Sequence, residues 1–216
     1  MPTVDGQFVA TVGGYPLALL SWVAGDGLTG EDQRLIGVTL ARVHRALAAE
    51  SVEGVERFHW VDPAAAHLAV RGWVRPAVAA AVEAVEALGV EALSWGLLHS
   101  DPAPEAFRLD PATGVCGVID WSVALAGPLL YDLASAVMYV GGAGRAGELV
   151  EAYLLEEVLT RSEVERGLLP MLRFRWAVQA DYFARRIVED DLTGIGGPQE
   201  NEKGLDDARR RLLPDL

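Results

Sequence analysis

Three segments hold most of the chemistry in this sequence: Leu97-Leu98-His99-Ser100-Asp101-Pro102-Ala103-Pro104-Glu105-Ala106-Phe107, then Gly117-Val118-Ile119-Asp120-Trp121, then Tyr131-Asp132-Leu133-Ala134. Trp95 to Leu98 is a short apolar run that stops at His99-Ser100-Asp101, and a proline-broken loop follows. Phe107-Arg108-Leu109 and Val115 to Ile119 read as short strands flanking the turn Asp110-Pro111-Ala112-Thr113-Gly114. Asp101 precedes the first strand and Asp120 follows the second. A hairpin of that size can bring both carboxylates to one end of a small sheet. There one aspartate can accept a hydroxyl proton while the other holds a magnesium ion.

Around this centre the pattern is mostly helical. Residues 7–12 and 17–23, separated by Gly13-Gly14-Tyr15-Pro16, read as a β-hairpin. Thr29 is expected to open a helix through Leu47, with Ile36, Leu40, Val43 and Leu47 on one buried face. His44 lies next to that face and reads as a packed or surface residue, not a ligand. Asp62-Pro63 caps a short helix through Leu68, and Pro76 to Leu88 forms another with Glu83 and Glu86 facing water. Four more helices are expected: Leu129–Val140, Gly147–Leu159, Pro170–Glu189 and Glu202–Leu213. In the third, Leu172, Trp176, Ala180, Phe183 and Ile187 form a stripe that reads as core. Residues 142–147 match G-x-G-x-x-G, but the stretch before them reads as helix, so they are a loop between helices. Cys116 falls in an apolar strand and reads as a small buried hydrophobe. The expected class is α+β, mainly helical, with short β-hairpins.

Composition sets the bounds. The chain has 216 residues, 51% hydrophobic and 23% charged, enough for a packed core and too apolar for disorder. A net charge of −13 disfavours nucleic acid and attracts cationic ligands. One cysteine excludes an internal disulfide framework. The weakly charged stretch from Ser122 to Gly142 is interrupted by Gly127, Pro128 and Asp132, a poor membrane span. The first residues lack the basic and apolar regions of a signal peptide, so a cytoplasmic protein is expected. Lys203 and Asn201 are the only lysine and asparagine. A mechanism that needs either type in the first 200 residues is excluded.

The ordered motifs His99-Ser100-Asp101, Ile119-Asp120-Trp121 and Asp132-Leu133-Ala134 resemble those of the aminoglycoside phosphotransferase family, with its choline-kinase-like relatives and protein-kinase-like fold. The Thr29–Leu47 helix is similar to a helix of that family. The resemblance implies the C-terminal lobe of a protein-kinase-like fold. Residues 1–28 would be a remnant hairpin and hinge of the nucleotide-binding lobe, and 29–216 the helical lobe. It implies ATP-dependent phosphoryl transfer to a hydroxyl of a small molecule. Asp101 takes the catalytic-base position and Asp120 the Mg²⁺ position. His99 ties the catalytic loop to the sheet, Asp132 braces it, and Ser21, Trp22 and Val23 form the hinge that meets adenine.

Departures from the family pattern shape the expectation. The family asparagine, a second metal ligand, falls on Ala106, whose methyl cannot coordinate magnesium. Glu105, one position earlier, is the candidate replacement. Ser100 stands where glycine is usual, which matters if that backbone needs positive φ. The family's phosphate-clamping lysine and covering loop have no counterpart before the hairpin. Weak or absent transfer by this chain is expected, with a non-catalytic binding or dimerisation module as the alternative reading. Acidity suits an amine-bearing acceptor. Val9, Leu17 and Leu19 on an uncovered hairpin suggest a homodimer through residues 7–23.

Overall fold

A single helix, α5 (Arg161–Val188, 28 residues), organises the molecule in a computed structural model that describes residues 6, 9–18, 20–48, 54–58 and 61–213. Ahead of it come β1 (Ala10–Val12), β2 (Tyr15–Leu17), β3 (Asp26–Gly27), α1 (Gln33–Leu47), α2 (Val74–Glu86), β4 (Trp95–Leu98), β5 (Phe107–Leu109), β6 (Cys116–Val118), β7 (Leu125–Pro128), α3 (Leu129–Tyr139) and α4 (Gly147–Leu154). Helix α6 (Pro198–Leu212) follows. The strands form three small antiparallel sheets, ordered β1-β2, β3-β5-β6 and β4-β7. Helices α2, α3 and α6 pack on α5, and α1 packs on α4. Leu40, Val78, Leu98, Phe107, Leu130, Leu133, Leu149, Met171 and Phe174 fill one continuous core. This is the mainly helical α+β lobe that the motifs imply.

Several boundaries differ from the sequence expectation, each for a local reason. Thr29 does not open α1. It closes a turn in which the Asp32 carboxylate accepts from the Thr29 amide (2.8 Å) and hydroxyl (2.9 Å), and the helix begins at Gln33. After Asp62, whose carboxylate takes the Ala64 amide, the chain forms a 3₁₀ turn over Ala66–Val70, not an α-helix. Helix α4 stops at Leu154, short of Leu159, and Glu157 then takes a left-handed φ of +54°. Helix α5 starts nine residues before Pro170, at a Thr160 N-cap whose hydroxyl accepts from the Glu163 amide (3.1 Å). Pro170 sits inside it.

The α5 stripe is also displaced. Val164, Gly167, Met171, Phe174 and Ala177 are buried, whereas Leu172, Trp176, Phe183 and Ile187 are half-buried. Phe183 lies over Gly204, and Arg211 lies over Trp176, so much of that stripe faces α6. Helix α6 itself begins at Pro198, four residues before Glu202. Strands β3 and β7 are too short, and too rich in glycine and proline, to register as apolar runs. The hairpin is tighter than expected, with Gly13 and Gly14 alone at positive φ. Gln7, Phe8 and Leu19 lie outside the described residues. The G-x-G-x-x-G stretch is indeed the connection between α3 and α4. Cys116 is half-buried, not buried, and burial pushes its thiol up against a partial offset from Thr39. Among the described residues no helix is long and apolar enough to cross a membrane.

Candidate active site

Strand β4 delivers the chain to His99, and the buried Asp132 near the start of α3 catches it there. The Asp132 carboxylate accepts the amides of His99 (2.7 Å) and Ser100 (2.8 Å) and Nε2 of His44 (3.0 Å). With His44 Nε2 donating, its Nδ1 is left to accept the Tyr153 hydroxyl at 2.7 Å. Burial, reinforced by the Asp132 charge, holds the Tyr153 phenol well above its usual range, so it keeps the proton it donates. His44 is thus a packed residue, as the sequence suggested, and also a support for the loop. Asp132 braces the loop in the way the resemblance implied.

The same loop is tied to the second aspartate's segment. His99 Nε2 donates to the Ile119 carbonyl (2.7 Å), and the Ile119 amide donates to the Ala106 carbonyl (2.9 Å). His99 also meets the Trp121 ring edge-on at 5.0 Å between centroids. Asp101 and Asp120 therefore flank one shared hydrogen bond, two residues and one residue away from it. Ser100 (φ +73°) and Asp120 (φ +66°) both adopt the left-handed region. For a non-glycine residue this costs about 1 kcal/mol. The substitution of serine for glycine at position 100 is thus a strained one, and the Asp132 carboxylate holds its amide in place.

Asp101 is set by residues far away in sequence. Its Oδ1 accepts from the Tyr139 hydroxyl (2.5 Å) and from Arg175 Nη2 (3.0 Å). Its side chain is 48% exposed, and Oδ2 meets no donor among the described residues. Burial is the main reason the Tyr139 phenol is pushed far up, with Asp101 adding to it and Arg175 opposing. Tyr139 is therefore a donor to Asp101, not a base. Arg175 is buried and its Nε has no partner among the described residues. Neither Tyr139 nor Arg175 was singled out from sequence. The RFRW run of α5 carried the only signal, an arginine inside an aromatic stripe.

The remaining expected residues divide. Asp120 Oδ1 accepts the Ser122 hydroxyl at 2.8 Å. Carboxylate and hydroxyl are hard oxygen donors of the kind magnesium prefers, so Asp120 fits a metal ligand. Ala106 is buried, so its methyl brings no oxygen to that end of the site. Glu105, next to it, is exposed and lies near enough to Tyr139 to raise its phenol. Among the described residues no three His, Cys, Asp or Glu side chains converge as a complete metal centre. Ser21 and Trp22 are exposed, while Val23 lies against Gly117 of β6. The backbone of Ser21 to Val23 makes no backbone hydrogen bond among the described residues, which leaves its polar edge open.

The lobe and its paired aspartate loops define a kinase-like phosphotransferase fold. A family model described as the phosphotransferase enzyme family matches residues 2–165, and the chain belongs to that family. Solved structures agree on the fold. A microcompartment-associated aminopropanol kinase is similar with a TM-score of 0.71 and 20% identity, covering 98% of this chain and 72% of that one. A choline/ethanolamine kinase family protein from Mesorhizobium loti gives 0.72 and 15%, covering 95% and 72%. The aminoglycoside 2'-phosphotransferase-IIIa, in a GDP complex, gives 0.65 and 15%, covering 97% and 75%. A search of curated protein sequences found no match.

Proposed function

We propose that this chain contributes the catalytic lobe for phosphoryl transfer from ATP to a hydroxyl of a small molecule. The observation that carries this reading is Asp101: Tyr139 and Arg175 fix one carboxylate oxygen and the other is open. That open oxygen orients the acceptor hydroxyl and takes its proton. Asp120 holds the metal, with Glu105 as its candidate second ligand, and the unpaired backbone of Ser21, Trp22 and Val23 takes the adenine edge. Magnesium, when bound, neutralises phosphate charge. His99 and Asp132 are positioning residues that set the distance between the two loops.

Asp101→Asn should lower transfer by about 10²–10⁴-fold while nucleotide affinity is retained. Turnover against a panel of hydroxyl acceptors, with Mg²⁺-ATP affinity by calorimetry, makes the comparison. Unchanged turnover in Asp101→Asn overturns the assignment. Long-range attraction from the net charge of −13 favours cationic molecules in general. A groove along α5, however, carries two arginines and no carboxylates in its lining.

A second reading rests on Ala106. A buried methyl in place of an oxygen ligand favours a chain that binds without catalysis. Nucleotide binding that is indifferent to magnesium, with no turnover, would select it. In either case the exposed hairpin is the face through which two copies pair, and the protein works in the cytoplasm.

A further inference from the structure

A groove of about 730 Å³ lies along α5, walled by Gly142, Gly144, Leu172, Arg173, Trp176 and Arg211, among others. Two of its walls are continuous in the chain with the residues that hold Asp101. Tyr139, which donates to Asp101, lies two residues before the groove residue Gly141. Arg175, the other donor to Asp101, lies between Arg173 and Trp176.

The lining is at odds with the charge of the molecule. The chain has 31 acidic side chains against 18 basic ones, yet no Asp or Glu lines this groove. Arg161, Arg175, Arg185, Arg186 and Arg210, on the same two helices, are each paired with a carboxylate. Among the described residues Arg173 and Arg211 are not, and neither are Arg166 and Arg209, which lie outside the groove. The Arg211 guanidinium instead lies over the Trp176 ring, 5.7 Å from its centroid. The amides of Ala143 and Gly144 make no backbone hydrogen bond among the described residues. Two guanidiniums without carboxylates and two unpaired amides are donors only, and a guanidinium fork matches carboxylate or phosphate oxygens. Leu169, Leu172 and the Trp176 face supply apolar contact beside them. The volume is that of an ordinary small-molecule site.

We propose that this groove binds the end of the acceptor remote from its reacting hydroxyl, and that this end carries a carboxylate or phosphate next to an apolar or aromatic portion. The assignment of the groove's occupant as the acceptor rests on the phosphotransferase reading above. The anion preference rests on the groove alone.

The test is calorimetric titration of the nucleotide-free protein with four probes: 3-hydroxyphenylacetate, phenyl phosphate, tyramine and 3-hydroxybenzyl alcohol. The two anions separate carboxylate from phosphate, and the cation and the neutral alcohol are the contrasts. At least one anion should bind tenfold or more tightly than tyramine, and added salt should weaken it. Arg173→Gln and Arg211→Gln should each weaken that anion by about tenfold or more, as for a hydrogen bond to a charged group. Tyramine binding as tightly as the anions, no saturable binding by either anion, or folded variants with unchanged affinity would each overturn the proposal. The probe ranking and salt response of the unmodified protein decide it even if a variant fails to fold. Anion binding without any transfer sinks the phosphotransferase reading and leaves the anion site standing. Transfer to amino alcohols that ignores both substitutions does the reverse.

Discussion

Asp132 accepts three hydrogen bonds while fully shielded from water. Asparagine has one oxygen and turns an amide donor toward at least one of those donors. Asp132→Asn should therefore cost about 3–5 kcal/mol, as when one partner of a buried ionic group is removed. At about 2–4 °C per kcal/mol for a chain of this size, its unfolding temperature should fall by roughly 6–20 °C. Thermal unfolding followed by circular dichroism measures this, and a shift under 2 °C would mean that water replaces the lost acceptor. Asp132 was legible because it sits in a short motif with a recognisable order. Tyr139 and Arg175 were not, since they reach Asp101 from 38 and 74 residues away. No local pattern encodes a partner at that separation. Arg175 is also a charged residue within an apolar stretch of helix, and it is buried.

Between elements, α1 packs closely against α4. A Cβ on Gly37 would lie 2.3 Å from the Leu149 carbonyl oxygen. Gly37→Ala should thus destabilise by about 1–3 kcal/mol through overpacking, although alanine is the better helix former by about 1 kcal/mol. A denaturant melt that moved the other way would show that the two helices slide apart freely. The same pair is clamped at its other end by Glu156. Burial opposes ionisation of Glu156, but hydrogen bonds from Arg45 and Arg42 outweigh it and lower its pKa. A group lowered in the folded state contributes stability above its unfolded value, 4.5, and loses that contribution as pH falls through the folded value. Glu156→Gln should flatten the pH dependence of unfolding below about 4.5, read by urea melts across that range. The element boundaries went astray where two signals competed. Thr160-Arg161-Ser162-Glu163 is a helix start, and Pro170 drew attention away from it because proline favours first turns. Leu125–Pro128 forms a strand because Trp95–Leu98 lies along one side of it and residues 56–58 hydrogen-bond to the other.

At the scale of the molecule, most of the apolar surface left uncovered at the N-terminal end sits on or near one hairpin. Val9, Val12, Tyr15, Leu17, Leu20 and Trp22 are all more than half exposed. A two-stranded ribbon is marginal in water and its edges invite pairing. Light scattering should show a mass that approaches a dimer as concentration rises, and Val12→Ser with Leu17→Ser should restore the monomer. A monodisperse monomer at high concentration would dismiss the pairing. The fold class was readable because helix periodicity dominates the chain and three aspartate motifs come in a fixed order. The chemistry of the groove was not readable, because its walls come from residues 141–144, 169–176 and 211–213, which only the packing of α3, α5 and α6 assembles.

Helix α5 holds Ser94 through Glu163, Asp101 through Arg175, and His67 through Asp181. A slip of one turn would carry each tether about 5.4 Å from its mate. Loosening the middle of this helix would release Asp101 from Arg175, so the site is expected to open together with the core. Its central amides should exchange with deuterium only when the whole chain opens, while those of the hairpin exchange by local fraying.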